Sequence, residues 1–279
     1  MTIQLALIGE KIGQSRMPKL QMYLAKLSGV DLHYEIIDVD GQSDFVLADA
    51  LQRLKQLGFH GANITQPFKQ QAWHLVHASQ PSDNQLGAYN TLTFDHTNGG
   101  LLGTSTDRSG FVSAFRRRLE GHSPGRVLLA GAGGVGRSVA FGLAELGVDL
   151  LCIYDTNRSQ AEDLAAALPH VSSLVVRSEE EFISLAPHMD GLVNCTPKGM
   201  YYLPESAFPA SVIGQQQWAF DAVYTPLQTE FVKHGQRAGL EIISGFDLWI
   251  HQGLDAFEIF TGTRVEASDE LLNETLSWL

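Results

Sequence analysis

The stretch from Gly125 to Ala140 reads Gly-Arg-Val-Leu-Leu-Ala-Gly-Ala-Gly-Gly-Val-Gly-Arg-Ser-Val-Ala, and it holds the residues whose spacing points most directly to chemistry. Val127 to Ala130 form a short apolar run that leads into Gly131-x-Gly133-x-x-Gly136 and then into helical sequence. In that setting Gly131 makes a tight turn, Gly133 lets a pyrophosphate approach the backbone, and Gly136 lets the helix close on the strand. Gly134 and Val135 lie at the helix start, whose free N–H groups and positive dipole end suit phosphate. A second apolar run, Val148 to Tyr154, ends in Asp155. An acid there, about twenty residues past the third glycine, can bond the hydroxyls of an adenosine ribose. Strand, glycine turn, helix and acid together imply a dinucleotide site. The two cysteines, Cys152 and Cys195, fit neither a disulfide framework nor a metal spacing, so no metal is expected.

The elements that must position this site follow from periodicity. Residues 3–8 read as a strand, and Leu20, Tyr23, Leu24 and Leu27 follow Pro18 at helical spacing. Leu32, Tyr34 and Ile36 alternate as a second strand. Ser43 is a candidate N-cap for a helix carrying Phe45, Ala48, Leu51 and Leu54. Gly61 to Thr65 is a third strand, and Pro67 is expected to open a helix. Short strands near 91–94 and 101–102 flank the turn residues Asn98-Gly-Gly. A helix from about Arg108 to Leu119 leads into the glycine stretch. Strands and helices then alternate to Gly245, and helices near 246–260 and 267–278 end the chain.

This alternation defines an α/β protein with parallel or mixed sheets. The 279 residues suggest two domains: 1–103, completed by the C-terminal helices of 244–279, and a dinucleotide-binding domain over 104–243, with a cleft expected between them. A composition of 44% apolar and 18% charged residues supports a core in each. The net charge of −12 speaks against nucleic acid or an anionic membrane as a partner. With no leader pattern and no long apolar run, a cytoplasmic protein is expected.

Four blocks, in order, resemble signatures of the shikimate/quinate dehydrogenase family: Gly61-Ala-Asn-Ile-Thr-Gln-Pro-Phe-Lys69, Gly87-Ala-Tyr-Asn-Thr91, Gly103-Thr-Ser-Thr-Asp107 and Asn194-Cys-Thr-Pro-Lys-Gly-Met200. The resemblance spans nearly the whole chain. It implies a substrate-binding domain joined to a Rossmann-type domain. It also implies hydride transfer between a nicotinamide and the carbon bearing a ring hydroxyl of shikimate, quinate or a close analogue. By resemblance Lys69 and Asp107 form the catalytic pair. The chemistry agrees, because hydride transfer to a ketone leaves an alkoxide that needs a proton donor, and a lysine held by a carboxylate supplies one. The resemblance further assigns Ser15, Met17, Asn63, Thr65, Asn90, Tyr224 and Gln252 to the substrate. Besides the glycine turn and Asp155, it assigns Arg158, Thr196, Val223, Gly245 and Leu248 to the cofactor.

The departures bear on specificity. The family's Ser-x-Ser/Thr-Pro is here Ser15-Arg-Met-Pro18, and Met17 has no donor for the substrate carboxylate. One lost charge-assisted hydrogen bond is worth about 1.5–3 kcal/mol, roughly tenfold to a hundredfold in affinity. Ser105 and Arg108 replace the family's Asn and Gly beside Asp107, with Arg108 expected to point away from it. In Gly245-Phe-Asp-Leu248, Leu248 stands in for the family's Met, and Asp247 has no assigned role. For the cofactor, Asp155 occupies the position where NADP-using members carry Asn. A carboxylate about 5 Å from a 2′-phosphate costs about 3 kcal/mol per unit charge at an effective dielectric of about 20. This favours NAD and resembles the NAD-preferring quinate/shikimate and aminoshikimate dehydrogenase branch. Sliding Asn157-Arg158-Ser159 onto the NADP motif gives the alternative, an NADP-dependent shikimate-pathway enzyme. A ligand sensor that binds NAD and a small acid without turnover is a further alternative, as is a dehydrogenase for an unrelated alcohol.

Overall fold

Parallel strands need crossover connections, and the alternating helices supply them in both halves of the chain. The computed structural model describes residues 2–78, 85–95 and 100–278. The chain divides into two units, Met1–Thr106 with Gln252–Thr275, and Asp107–His251 with Leu276–Leu279.

In the first unit β1 (Ile3–Gly9) pairs in parallel with β2 (Leu32–Asp38) and β3 (Gly61–Ile64). β5 (Thr91–Phe94) joins β3 antiparallel, β6 (Leu101–Thr104) joins β5 antiparallel, and the short β4 (His77–Ala78) joins β6 in parallel. The order is β2-β1-β3-β5-β6-β4. Helices α1 (Met17–Ser28), α2 (Leu47–Gln56) and α3 (Lys69–Leu75) connect the early strands. Ala6, Ile8, Leu51, Leu54, Ala62, Tyr89 and Leu92 build the core between the sheet and α2. The later part of α9 (Gly245–Thr261) belongs to this unit, and its Gly253 admits Leu20 of α1 at van der Waals closeness. α10 (Asp269–Leu276) follows.

The second unit starts within α4 (Thr106–Arg118). It holds one fully parallel sheet in the order β12-β11-β10-β7-β8-β9. Its strands are β7 (Arg126–Ala130), β8 (Leu150–Tyr154), β9 (Ser173–Val175), β10 (Gly191–Asn194), β11 (Trp218–Asp221) and β12 (Glu241–Ile243). The chain moves outward from β7 to β9, then returns to the other side of β7 for β10 to β12. That makes β7 and β10 the switch point, where open α/β sheets bind ligands at the carboxyl ends of the strands. Successive side chains of a strand point to opposite faces. Accordingly Val127 and Leu129 pack with Phe111 and Phe115 of α4 and Val139 of α5 (Gly134–Glu145). Leu128 and Ala130 pack with Phe182 of α7 (Glu179–Leu185) and Phe231 of α8 (Glu230–Arg237). α6 (Arg158–Ala166) links β8 to β9.

Several local expectations shift. Residues 42–45 form a turn, and α2 begins after Val46 with no side-chain cap, so Ser43 does not cap it. Pro67 lies within a Thr65–Phe68 turn closed by the Phe68 N–H on the Thr65 carbonyl, and α3 begins only at Lys69. Ile36 is 37% exposed because β2 is an edge strand, which breaks the alternation set by Leu32 and Tyr34. The pairing of β4 has no counterpart in the sequence reading. Asn98 and Gly99 of the expected turn lie outside the described residues. The expected boundary at 243/244 lies ahead of the structural one, which falls inside α9 between His251 and Gln252.

Candidate active site and dinucleotide site

In the first unit the candidate substrate residues gather at the end of β3. Asn63 is held by three bonds: its Nδ2 donates to the Asn90 carbonyl at 3.2 Å and to Thr91 Oγ1 at 3.1 Å, and its Oδ1 accepts from the Tyr34 hydroxyl at 2.7 Å, which leaves Oδ1 one further acceptor position. Burial pushes the Tyr34 phenol far above its ordinary value, so it stays a proton donor. Asn90 Oδ1 accepts the Thr106 N–H at 2.7 Å, and its Nδ2 donates to Thr106 Oγ1 at 2.9 Å and to Gln252 Oε1 at 3.3 Å. One residue earlier, the Tyr89 N–H donates to the Lys69 carbonyl at 2.9 Å. Residues 89 and 90 therefore fix the backbone of Lys69 and that of Thr106, the residue just before Asp107. Thr65 follows β3, with its N–H on the Ile8 carbonyl at 3.0 Å and its methyl against Gly9.

Ser15 and Met17 stand apart from this network, at the entry to α1. Ser15 Oγ accepts the Met17 N–H at 3.3 Å. Met17 is buried, its sulfur facing Gln21 Nε2 at 3.5 Å, so it fills core space. The loop before Ser15 is gripped by Asp38. That carboxylate accepts the N–H groups of Lys11, Ile12 and Gly13, each at 2.9 Å, and of Asp40 at 3.1 Å.

In the second unit the glycine turn has the predicted geometry. Gly131 sits at φ +96°, a left-handed conformation that favours glycine, and its N–H donates to the Tyr154 carbonyl at 2.8 Å. Gly136 lies so close to the Gly131 carbonyl oxygen that a Cβ would collide with it, whereas a Cβ on Gly133 would meet nothing within 4 Å. The first and third glycines serve the fold, and the second leaves the open space a pyrophosphate requires. Gly134 and Val135 form the first turn of α5, half-exposed. The residues present fit a dinucleotide.

Asp155 joins this turn directly. Its Oδ2 accepts the Ala132 N–H at 2.7 Å and its Oδ1 the Asn157 N–H at 2.8 Å. Arg158 is directed elsewhere, to Glu162 Oε1 at 2.7 Å. Arg108 turns to Glu145 of α5 at 3.5 Å, with its side chain only 13% exposed, so it is lodged between helices rather than extended into water. Asp107 is buried in the first turn of α4.

Thr196 donates through N at 3.0 Å and Oγ1 at 2.7 Å to Asn194 Oδ1. Val223 and Gly245 are in close contact, since a Cβ on Gly245 would stand 2.6 Å from the Val223 carbonyl. Leu248 packs into the core of this unit. Tyr224, half-exposed, stacks on Trp249 with ring centroids 6.3 Å apart.

Several residues of the site escaped the sequence reading. Asp247 starts α9 through a capping box, in which its Oδ2 accepts the Ser244 N–H at 2.8 Å while Ser244 Oγ accepts the Asp247 N–H at 3.3 Å. Arg118 adds an ion pair to it at 3.0 Å. The Ser-x-x-Asp spacing was the available signal. Asp221, at the end of β11, accepts from Asn194, Val223 and Thr229. Burial pushes its carboxyl up to about 6, although the donors from Thr229, Val223 and Asn194 work against the rise.

A doubly wound parallel sheet, a glycine-lined first βα turn and an acid after the second strand define a Rossmann-type dinucleotide-binding protein, here carrying a second α/β unit. The sequence profile of the shikimate dehydrogenase substrate binding domain matches residues 7–92. A quinate/shikimate dehydrogenase (NAD(+)) from Corynebacterium glutamicum (strain R) is 36% identical over 96% of both chains. The chain belongs to the shikimate/quinate dehydrogenase family of NAD(P)-dependent oxidoreductases. A shikimate dehydrogenase (NADP(+)) from Arthrobacter sp. (strain FB24) is 34% identical over 94% of this chain and 90% of its own. Among solved structures, quinate dehydrogenase from Corynebacterium glutamicum in complex with NAD superposes with a TM-score of 0.88, at 34% identity and 99% coverage of each chain. Among the described residues no helix is long and apolar enough to cross a membrane, and no cluster of candidate metal ligands occurs.

Proposed function

We propose that this chain transfers hydride between NAD and the ring carbon that bears a hydroxyl in a cyclic hydroxy acid of the shikimate or quinate kind. The observation that carries the cofactor choice is the anchoring of Asp155. Two backbone N–H groups hold its carboxylate beside the glycine turn, where it can accept from ribose hydroxyls and repel a 2′-phosphate, while Arg158 is paired with Glu162. The naming of the Corynebacterium relative as an NAD(+) enzyme supports the same choice.

When bound, the nicotinamide supplies or accepts the hydride. Lys69 gives a proton to the ring oxygen during reduction and takes it back during oxidation, and Asp107 orients the lysine for that exchange. Asn63, Thr65, Asn90, Tyr224 and Gln252 bond the ring hydroxyls and carboxylate. Ser15 donates to the carboxylate, and Met17 supplies no second donor beside it. Thr196, Val223, Gly245 and Leu248 form the nicotinamide-side wall. No disulfide joins Cys152 and Cys195, which suits a reducing compartment, and we place the enzyme in the cytoplasm.

Initial rates of NADH formation with shikimate and with quinate test this reading. Lys69→Ala is expected to lower kcat by about a hundredfold or more while NADH still binds. A Lys69→Ala variant with wild-type kcat would remove Lys69 from the proton transfer. A wild type that binds NADH and turns over neither acid would contradict these substrates and leave a dehydrogenase for a different alcohol or the sensor.

A further inference from the structure

We propose that Asp221 is the positioning residue for the nicotinamide-side wall of the dinucleotide site, holding Thr196 and Val223 in register through one carboxylate. This rests on the cofactor reading above. Asp221 is 1% exposed, and no step assigned so far uses it. Its Oδ1 accepts from Asn194 Nδ2 at 2.9 Å and from the Val223 N–H at 3.1 Å, and its Oδ2 accepts the Thr229 hydroxyl at 2.6 Å.

Asn194 relays the hold. Its Oδ1 accepts both the N–H and the hydroxyl of Thr196, at 3.0 and 2.7 Å, and its Nδ2 also reaches the Lys198 carbonyl at 2.9 Å. Both ends of this relay touch the cofactor machinery. The Thr196 nitrogen lies 3.0 Å from where a Cβ on Gly131 would stand, against the glycine turn. The Val223 carbonyl lies against Gly245, at the start of α9. Thr229 closes the third side, and its Oγ1 also accepts the Val232 N–H as the N-cap of α8.

An ionised carboxylate accepts from an amide, a backbone N–H and a hydroxyl at once; an asparagine keeps the first two acceptor contacts and meets Thr229 as a donor instead. An apolar residue would fill the space without the desolvation penalty of a buried carboxylate, but would leave three donors without their acceptor.

NADH binding, followed by fluorescence titration of the full chain, tests the proposal together with the KM values for NAD and for the acid. Asp221→Ala is expected to weaken NADH binding about tenfold or more and to raise the KM for NAD in step, while the KM for the acid moves less than about twofold. Asp221→Asn keeps a carbonyl oxygen for Asn194 and Val223 and turns its amide to the Thr229 oxygen, so it should restore binding to within about threefold of wild type. The proposal is overturned by wild-type NADH binding in Asp221→Ala, by an Asn variant no better than Ala, or by a KM for the acid that rises in parallel. Should Asp221→Ala not fold, Asn194→Ala carries the same expectation through Thr196, and wild-type binding by that variant overturns it. A wild type that does not bind NADH would refute the cofactor reading and this inference together. Normal wild-type binding with unaffected variants would refute this inference alone.

Discussion

Asp38, Asp155 and Asp221 share one device. Each sits at or just after the carboxyl end of a parallel strand, and each accepts at least one backbone N–H from the loop beside it. Those strand ends are where ligands bind in open α/β sheets, so the loops held there are the ones whose placement matters. At Asp38 the Asp40 amide, with those of Gly13, Ile12 and Lys11, holds the carboxyl below its usual range despite the opposing effect of desolvation. A depressed pKa stabilises the loop above the unfolded value and loses that contribution only as pH falls through the lower folded value. Asp38→Asn would set an NH2 group against two of these donors and displace the loop leading to Ser15. The expected result is a KM for the acid raised about tenfold with the KM for NAD unchanged, read from steady-state kinetics. An unchanged KM for the acid would free Ser15 of any dependence on Asp38. Of the three aspartates only Asp155 was legible in the sequence, because it belongs to a spaced motif. Asp38 bonds backbone amides alone, which nearly any residue type supplies, and Asp221 needs Thr229 eight residues on and Asn194 twenty-seven residues back, a combination with no local motif.

At the scale of the element, the glycine turn and α5 were legible because their constraint is steric and local. Gly136→Ala tests it: the new methyl would meet the Gly131 carbonyl, forcing the helix off the strand. Overpacking of this kind costs about 1–3 kcal/mol. The variant should therefore melt lower and bind NADH more weakly. Wild-type melting and binding would mean that the turn tolerates a Cβ. Most strands and helices were similarly legible from period two and helical spacing. The failures lie where a local signal met tertiary context. Ser43 has the chemistry of a cap but lies inside a turn, and Pro67 has the preference for a helix start but belongs to the turn before it. Ile36 continues the apolar alternation in the sequence, but on the edge strand β2 it is exposed where Leu32 and Tyr34 are buried. The network of Asn63, Asn90 and Thr106 was legible as three motifs but not as one structure, since its bonds join residues from separate blocks.

For the molecule as a whole, the two units have separate sheets and the chain passes between them at Thr106–Asp107, at His251–Gln252 and at Thr275–Leu276. The first crossing directly follows a backbone N–H fixed by Asn90, so Asp107 leaves from an anchored point. A net charge of −12 gives no broad attraction for an anionic cofactor, so its phosphates depend on local N–H donors and on the α5 N-terminus. Such donors do not distinguish NAD from NADP; in the function proposed above that choice falls to Asp155. The most direct measurement is kcat/KM for NAD and for NADP, with shikimate and with quinate as the second substrate. NAD should be preferred about a hundredfold with whichever acid turns over, matching about 3 kcal/mol of repulsion at the 2′ position. A preference for NADP would contradict the assignment of Asp155 and transfer cofactor choice to Arg158.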